Sequence, residues 1–466
     1  MDIGKRALMN SQNALQTVSH NISSKDVEGF SRQRAEFETA PAVGEGNLRF
    51  GTGTRTKRIT RTNDEFLEKQ IQGEMGKLGT NKGQADNLVR VENAFNEQMR
   101  TGLNQFVTDF FNAFRELANS PDSQATRDLV KQTAMAVSQD FKRVNDQMKG
   151  IQGDIDLQVK AEVEEVNSLL KEVATLNGMV EHVEFAGTPA NDERDRRDEI
   201  LKKIGQKMNI RYSEGDNGGV TVTAGNNAVL VSGGSSAKLD AVPTEERGQK
   251  RTGNFDITFK YEFSPAVVIT DQITGGEIGG ALQVRDKVIN RVLEKIDTLA
   301  HSMATNVNRA HRMGFDKYGQ SGHDFFDLEG PVANSAERLR ISSELDGDVW
   351  KIAAAAAPDA PGDNRIANFI SSLQHEKWMG DKTATYNDFY NGIVSELAVG
   401  IRHANSNYEH QVGIVQQLKN IRENISGVNL DEEAIKMIEY QKAFDASAKV
   451  IRTADEMLET VLSLKR

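Results

Sequence analysis

Residues 438–458 read IEYQKAFDASAKVIRTADEML, and their spacing predicts a long amphipathic helix near the C-terminal end of the chain. Apolar and small side chains recur there at alternating intervals of four and three residues, as in one strand of a coiled coil. The helix is expected to start near Asp431, and its stripe contains Met437, Gln441, Phe444, Ala448, Ile451, Asp455, Leu458 and Leu462. Gln441 and Asp455 interrupt the stripe, either as residues that set the register or as edge positions.

The opposite end of the chain carries the same pattern. A first helix is predicted to end near Ser24, and no proline precedes Pro41. Its stripe contains Gly4, Leu8, Ser11, Leu15, Val18 and Ile22. Because both ends are patterned alike, we expect them to pack together although almost the whole chain separates them. Amphipathic helices at both ends of the chain favour a function in assembly over a function in catalysis.

Composition excludes several classes of protein. The 466 residues contain no cysteine, which excludes disulfides, thiolate catalysis and thiolate metal sites. The net charge of -11 and a pI near 5.4 argue against a nucleic-acid partner, and we interpret the basic runs at 55–61 and 194–197 as solvated faces. No stretch reaches the roughly 20 apolar residues of a membrane span, and the first residues lack the apolar segment of a cleavable secretion signal.

The spacing of apolar residues changes in the middle of the chain. Helical spacing dominates from Asp64 to about Gly178, with a weak point across residues 73–83 and a restart at Ser120-Pro121. Between about 205 and 280 the period becomes two and turn residues cluster, which predicts short strands. Helical spacing returns near Gly280, and another helix is expected over about 384–425.

These patterns predict a mainly α protein with an inserted β domain, an α+β fold. Because both ends must meet, the segments should nest in pairs, with the β domain at the tip. The predicted domains are residues 1–50 plus 426–466 as a terminal coiled coil, 51–204 plus 280–425 as a helical bundle, and 205–279 as the β insert.

No catalytic, cofactor-binding or metal-binding site is predicted. Paired acidic residues are common throughout this charged chain, and the histidines do not show metal-ligand spacing. A loop with Asp316, His323, Asp324 and Asp327 is rich in oxygen ligands, but flexible acidic loops usually hold no ion. The glycine-rich runs at 215–219 and 232–235 fit turns better than phosphate-binding loops.

A simple energy comparison suggests that the two ends do not fold alone. The last helix offers about five good apolar positions, each worth ~1.5–3 kcal/mol when fully buried. Ordering its backbone costs ~1–2 kcal/mol per residue, and hydrogen bonds return only part of that. We therefore expect both ends to be disordered in the free monomer, with a protease-resistant core of about residues 50–425.

Both ends also contain longer motifs. Near the N-terminus these are ALQTVSHNI, residues 14–22, and GFSRQ, residues 29–33; near the C-terminus they are ISGVNLDEE, residues 425–433, YQKAF, residues 440–444, and IRTADEML, residues 451–458. They resemble the flagellar axial proteins, and most closely the family of hook-associated protein 1, the hook–filament junction protein. Segments at 191–198, 279–286 and 308–326 also resemble this family, so the resemblance covers nearly all of the helical part.

Two departures from the family pattern stand out. The turn at residues 23–29 lacks the family's proline, so its shape is expected to differ. The chain also begins a few residues later than is typical of the family, a difference that we expect to affect export or the innermost packing.

The resemblance implies a structural subunit that joins hook to filament by helical self-assembly. It implies secretion through the flagellar type III apparatus to the cell exterior, with an export chaperone, and contacts with other copies, the hook protein and hook-associated protein 3. The predicted assembly interface contains Leu8, Leu15, Val18, Asn21, Ile22, Gly29, Phe30, Arg32, Ile438, Gln441, Phe444, Ala448, Ile451 and Leu458. Alternatives are another axial protein, of the hook or distal rod, and a flagellum-associated wall hydrolase, for which the insert of roughly 75 residues is small.

Overall fold

A computed structural model describes residues 2–45, 48–95, 102–225, 228–244, 255–261, 264–328, 330–360 and 362–464. The helices are α1 Asp2–Ser23, α2 Glu65–Phe95, α3 Leu103–Asn119, α4 Gln124–Phe185, α5 Asn191–Lys207, α6 Gly276–Gln283, α7 Asn290–Arg312, α8 Ser335–Arg338, α9 Ser343–Gly347, α10 Arg365–Ser372, α11 Tyr386–Ser426 and α12 Leu430–Ser463. A π-helical turn, Val284–Ile289, joins α6 to α7.

The strands form small antiparallel sheets. They are β1 Gln33–Thr39, β2 Val43–Glu45, β3 Leu48–Phe50, β4 Thr54–Arg61, β5 Ile210–Glu214, β6 Val220–Ala224, β7 Ala228–Ser232, β8 Ser235–Ser236, β9 Lys238–Pro243, β10 Phe255–Lys260, β11 Val267–Val268, β12 Phe326–Asp327 and β13 Arg340–Ile341. Their sheet orders are β1-β4, β2-β3, β5-β6-β7-β8, β11-β10-β9 and β12-β13. The predicted class, mainly α with an inserted β part, is confirmed.

The helices nest in pairs, as the sequence predicts. Helix α1 packs on α12, and α2 packs on α11. The long helix α4 then runs back along α3, α5 and the β insert. In the described residues, no helix has both the length and the apolar character that crossing a membrane requires.

The core of the helical part contains a cluster of aromatic rings. Phe110 on α3 lies 5.3 Å from Phe114 and 5.6 Å from Phe325, measured between ring centroids, and all three are fully buried. Phe111 stacks on Tyr386 at the start of α11. Phe325, in the segment between α7 and α8, therefore packs this segment against α3 through buried aromatic rings.

The β insert packs on the long helix α4. Val222 and Ile257 are fully buried in the same apolar core as α4, and the Asn177 amide of α4 hydrogen-bonds both the carbonyl and the N–H of Val220 at 2.7 and 3.0 Å. The strands thus lie along the C-terminal half of α4, because their apolar face needs that helix to be covered. The opposite end of α4 meets residues 350–352 instead, through Arg127.

Helix asparagines connect helices to strands at several places. In each case the side-chain amide donates to a strand carbonyl and its oxygen accepts from an N–H of the same residue, so one side chain satisfies both backbone groups. The pairs are Asn21 with Gln33, Asn167 with Leu239, Asn177 with Val220, and Asn308 with Phe326.

Two helix boundaries differ from the predictions. Helix α4 begins at Gln124 rather than at Pro121, because the Pro121 carbonyl accepts a hydrogen bond from the buried Arg127 side chain at 2.9 Å and lies in a turn. Helix α2 continues without a break through residues 73–83. Gly79 and Gly83 there mark close packing rather than weakness. A Cβ on Gly79 would lie 1.9 Å from the Gln206 carbonyl oxygen.

This packing predicts opposite effects for one substitution at two positions of α2. Gly79→Ala forces the backbone of α5 away and should lower the free energy of unfolding by about 1–3 kcal/mol. Gly73→Ala enters open space and should raise it by about 0.5–1 kcal/mol, because alanine loses less chain entropy in a helix. Urea unfolding of both variants checks this, and similar effects at the two positions would contradict the packing described.

The buried His311 links α7 to the segments that contain His323 and Ala353. His311 of α7 is 1% exposed; its Nδ1 lies 2.8 Å from the His323 carbonyl oxygen, and its Nε2 accepts a hydrogen bond from the Ala353 N–H at 2.8 Å. These partners require a neutral ring with the proton on Nδ1. Burial lowers the pKa of His311 to about 4, against the opposing effect of the hydrogen bond to His323.

This arrangement predicts a pH-dependent contribution to stability. Because the pKa of His311 is lower in the folded than in the unfolded chain, its contribution is complete above about pH 6.5 and is lost as the pH falls toward 4. The difference in unfolding free energy between the parent protein and His311→Gln should therefore shrink by about 3 kcal/mol between pH 7 and 4. Urea unfolding across this range measures it.

His403→Gln provides the matched control, since His403 is exposed on α11. Its unfolding free energy is measured across the same pH range as a reference for the loss of one imidazole from the surface. A constant difference for His311→Gln would show that the buried ring does not titrate in this way.

Candidate assembly interface

The two ends of the chain meet as an antiparallel helix pair. Gly4 of α1 faces Ile451 of α12, and Asn21 faces Glu433. A Cβ on Gly4 would come within 2.9 Å of the Ile451 side chain, so glycine allows the helices to approach closely at this end. At the other end the Asn21 amide donates to Glu433 at 2.9 Å, and Glu433 also pairs with Lys436 at 2.8 Å.

Most predicted interface residues of α1 lie on buried or half-buried sides of the helix. Val18 and Asn21 are buried, whereas Leu8, Leu15 and Ile22 are half-buried. Those of α12 divide into two groups. Phe444, Ala448 and Ile451 are half-buried, and Ile438, Gln441 and Leu458 are exposed. The exposed group therefore takes no part in a closed contact within the chain.

Helix α12 extends past the contact with α1. Leu458 and Leu462 continue the side of α12 that carries Phe444 and Ile451, but they lie beyond the level of Gly4 and are 51% and 67% exposed. We call these two residues the overhang. The expectation that Leu458 packs with the α1 stripe is not met within one chain.

A second apolar side of α12 faces outward. At 100° per residue it is well separated from the side facing α1, and its members are 58–67% exposed. We call it the outer stripe; it consists of Ile435, Ile438, Met457 and Val461. A helix that is apolar on more than one side is typical of a buried position, yet Glu433 is the one residue of α12 that is fully buried in the described chain.

Gly29 and Phe30 lie at the junction between the helix pair and the bundle. Gly29 has a φ of +82°, a conformation that favours glycine, and its carbonyl accepts from Arg422 at 2.6 Å. Phe30 is buried and packs edge-on against His20 at 5.4 Å. Arg32 pairs with Glu432 at 2.8 Å and donates its N–H to the Ser426 carbonyl. Arg32 thus connects the two ends of the chain, whereas Gly29 connects the turn after α1 to α11.

A buried ionic cluster holds this junction. Arg422 of α11 pairs with Glu68 of α2 at 2.9 Å and also donates to the Phe30 carbonyl and the Ser31 hydroxyl. Lys202 of α5 pairs with the second oxygen of Glu68 at 2.7 Å. Burial raises the pKa of the Glu68 carboxyl, but Lys202 and Arg422 lower it more, so the net pKa falls below its ordinary value.

A second ion pair lies beside this cluster. Asp195 of α5 accepts the Ser31 N–H at 2.7 Å and pairs with Arg61 of β4 at 2.6 Å. Arg61 also reaches Asp198 at 2.8 Å. The turn after α1, the end of the β1-β4 ribbon and the start of the bundle are therefore fixed to one another by charge-assisted hydrogen bonds.

The predicted interface does not include Glu68, Asp195, Lys202, Arg422 and Glu433. Glu68 and Arg422 lie 354 residues apart, so no local pattern pairs them. The available signal is that both charged residues continue the apolar stripes of their helices, since Glu68 comes three residues before Ile71 and Arg422 comes four residues after Leu418. A charged residue at a stripe position indicates a buried partner elsewhere in the chain.

The carboxylates of the acidic loop considered as a cation site are engaged by arginine side chains and backbone N–H groups. Asp324 pairs with Arg312, and Asp327 pairs with Arg340. Asp316 accepts the N–H groups of Tyr318 and Gln320 within its own turn. Over the residues that the structure describes, no three carboxylate or imidazole groups converge in a way that could hold a metal ion.

The fold and these surfaces define an elongated, helix-rich structural subunit whose paired ends leave apolar helix surface uncovered. Comparison with known proteins identifies its family. A family model described as the flagellar hook-associated protein FlgK helical domain matches residues 88–326, just over half of the chain, and the chain belongs to this family. A second model, the flagellar basal body rod FlgEFG protein C-terminal, matches residues 422–464.

Similar proteins align over nearly the whole chain. Flagellar hook-associated protein 1 of Bacillus subtilis is 26% identical over 507 aligned residues, which cover 99% of this chain and 97% of that protein. The protein of the same name from Escherichia coli is 23% identical, with 97% of each chain covered. The family resemblance that the sequence motifs indicate is thus confirmed.

A solved structure has the same fold. The flagellar hook junction protein FlgK from Burkholderia pseudomallei aligns with a TM-score of 0.68 and 14% identity, covering 77% of this chain and 100% of that chain. At this identity the likeness concerns the fold alone.

The ionic cluster predicts a large effect for one arginine. Arg422→Met leaves Glu68 partly unpaired in a buried position and should lower the free energy of unfolding by about 3–5 kcal/mol. Arg402→Met is the matched control, because Arg402 is exposed on the same helix and its replacement should cost less than about 0.5 kcal/mol. Denaturant unfolding measures both, and equal stabilities would contradict the role given to Arg422.

Proposed function

We propose that this protein is the structural subunit that joins the flagellar hook to the filament by helical self-assembly. The observation that supports this most is the uncovered apolar surface of α12, formed by the outer stripe and the overhang. Exposed apolar stripes on a long helix are typical of a subunit that is buried by its neighbours. The relatives aligned over nearly their whole length are named flagellar hook-associated protein 1.

The two ends of the chain form the assembly interface in this proposal. The inner layer contains Leu8, Leu15, Val18 and Ile22 of α1 with Phe444, Ala448, Ile451 and Leu458 of α12. Asn21, Gly29, Phe30 and Arg32 position this layer on the bundle, and Ile438 and Gln441 contact neighbouring copies. The ends are ordered chiefly by neighbours, because α12 buries little surface within its own chain and helix formation alone does not offset the loss of backbone entropy.

The proposed route and partners follow from the family. The chain is exported by the flagellar type III apparatus with the help of an export chaperone, and it works outside the cell. It contacts copies of itself, the hook protein and hook-associated protein 3, without binding nucleic acid or a membrane. Its role is structural, without catalysis, cofactor or metal. Relatives that carry a structural name and the net charge of -11 support this reading.

Another axial protein is the nearest rival. The C-terminal match to rod proteins covers only residues 422–464, a segment that several axial proteins share by resemblance, whereas the helical-domain match covers 88–326. The longer match favours the junction. A deletion strain should therefore form hooks without attached filaments, whereas the loss of hooks themselves would favour a hook or rod subunit.

The overhang predicts a substitution that acts on assembly alone. Leu458→Asp places a charge on a side chain that is already 51% exposed, so the monomer should unfold within about 0.5 kcal/mol of the parent protein. In the assembly the same carboxylate would be buried without a partner, which costs several kcal/mol. Assembly should therefore be lost, as measured by sedimentation and electron microscopy.

Ser463→Asp serves as the control, since it adds the same charge to a different side of the same exposed region. It should assemble like the parent protein. Normal assembly of Leu458→Asp would show that the overhang is not buried by neighbours.

A further inference from the structure

The side of α12 that faces α1 repeats itself along the helix. Two series of residues at seven-residue spacing form it, and seven residues are close to two helical turns, so each series stays on one side. The series are Met437, Phe444, Ile451 and Leu458, and Glu433, Tyr440, Ser447 and Ala454. Apart from Glu433 the members are apolar, aromatic or small. A similar surface therefore recurs every ~10.5 Å along α12.

This repeat makes a shifted pairing of the two helices plausible on apolar contacts alone. In the observed pairing Gly4 faces Ile451. If α12 moved by one repeat toward the bundle, Leu458 would take the place of Ile451 opposite Gly4. The shift would cover Leu458, which is 51% exposed, and would remove Glu433 from the contact. The observed pairing thus leaves apolar surface uncovered that the shifted pairing would bury.

Glu433 opposes the shift. It is 1% exposed, accepts a hydrogen bond from the Asn21 amide at 2.9 Å and pairs with Lys436 at 2.8 Å. Asn21 is fully buried and also donates to the Gln33 carbonyl. After the shift the ring of Tyr440 would replace the carboxylate opposite Asn21. The amide would then lose an acceptor in a buried place, which is strongly unfavourable.

A shift in the opposite direction is unfavourable for a different reason. It would place the carboxylate of Glu433 beside Ala14, which is 1% exposed, and away from Asn21. A buried carboxylate beside a methyl group has no partner there. The same shift would also move Ile451 past Gly4 and uncover it.

The other polar residues of the two stripes do not cross between the helices. Gln441 and Asp455 are exposed, which makes them edge positions rather than residues that set the register. Ser11 is buried, but its hydroxyl donates to the Ala7 carbonyl of its own helix at 3.0 Å. The buried polar contact from α1 to α12 is therefore the one between Asn21 and Glu433.

We propose that Glu433, held by Asn21, sets the register of α12 on α1 and thereby keeps the overhang uncovered. A buried polar pair in an otherwise apolar helix contact specifies register at a cost in stability. The register itself does not depend on the proposed function. Its consequence for assembly does: in the observed register, Leu458 and Leu462 stay available to neighbouring copies.

Two pairs of cysteines distinguish the registers, because the chain has no cysteine of its own. Since Gly4 faces Ile451, Leu8 lies level with Ser447 in the observed register and with Ala454 after the shift. Leu8→Cys is therefore combined with Ser447→Cys in one chain and with Ala454→Cys in another. The two α12 positions are ~10.5 Å apart, more than the ~7 Å between Cα atoms that a disulfide can bridge.

Both chains are equilibrated in a glutathione redox buffer, as verified monomer and after assembly, and the disulfide within each chain is measured by mass spectrometry. The observed-register disulfide should be in roughly tenfold excess, because the shift leaves Asn21 without its acceptor. Adding Glu433→Leu should raise the shifted disulfide several-fold, since neither register then satisfies Asn21. Glu433→Gln should keep the parent ratio, because its side-chain oxygen still accepts from Asn21.

Glu439→Leu is the matched control, since it makes the same substitution at an exposed position of α12 and should leave both disulfides unchanged. A shifted disulfide that stays at the parent level in Glu433→Leu would show that the linker at 427–429 fixes the register, and would overturn the inference. A parallel fall of both disulfides would overturn it too, because Glu433 would then serve only the stability of α12. If the chain does not assemble but Glu433→Leu raises the shifted disulfide, the proposed function fails and the register role stands.

Discussion

The buried guanidinium of Arg422 is the contact on which the rest of the architecture depends. It joins the end of α11 to Glu68 of α2 and to the carbonyls of the turn after α1, so the two ends of the chain meet at one point. Lys202 and Asp195 add the start of the bundle to the same junction. Because a buried charge that loses its partners is strongly unfavourable, these groups hold the direction in which α1 and α12 leave the bundle.

That junction separates two kinds of packing. On the bundle side, α2, α4, α7 and α11 bury a continuous apolar core with fully enclosed aromatic rings. On the other side, α1 and α12 share a seam that starts at Asn21 and Glu433 and ends at Gly4 and Ile451. The side chains of the overhang and the outer stripe remain exposed to solvent. The molecule therefore combines a bundle with an enclosed apolar core and a terminal helix pair on which much apolar surface stays exposed.

Much of this arrangement could be predicted from the sequence, and the failures share one cause. Periodicity located α1, α11 and α12 within a few residues, and the change to period two located β6 and β7. Helix α5 was not predicted, because its charged first half shows no apolar stripe; Arg197 is fully buried only because the Gly218 carbonyl, Asn177 and Glu214 accept its hydrogen bonds. The asparagine contacts and the Arg422 cluster also join distant segments, which leaves no local spacing to detect. The same holds for the contact between the β insert and α4, in which Asn177 bonds Val220.

The central claim is that α1 and α12 are ordered mainly by neighbouring copies. Amide hydrogen exchange, followed by mass spectrometry on a verified monomer and on the assembled form, tests it most directly. The account predicts fast exchange across α1 and α12 in the monomer, slow exchange in α3, α4 and α7, and strong protection of both terminal helices after assembly. Slow exchange of α1 and α12 in the monomer, equal to that of α4, would contradict it.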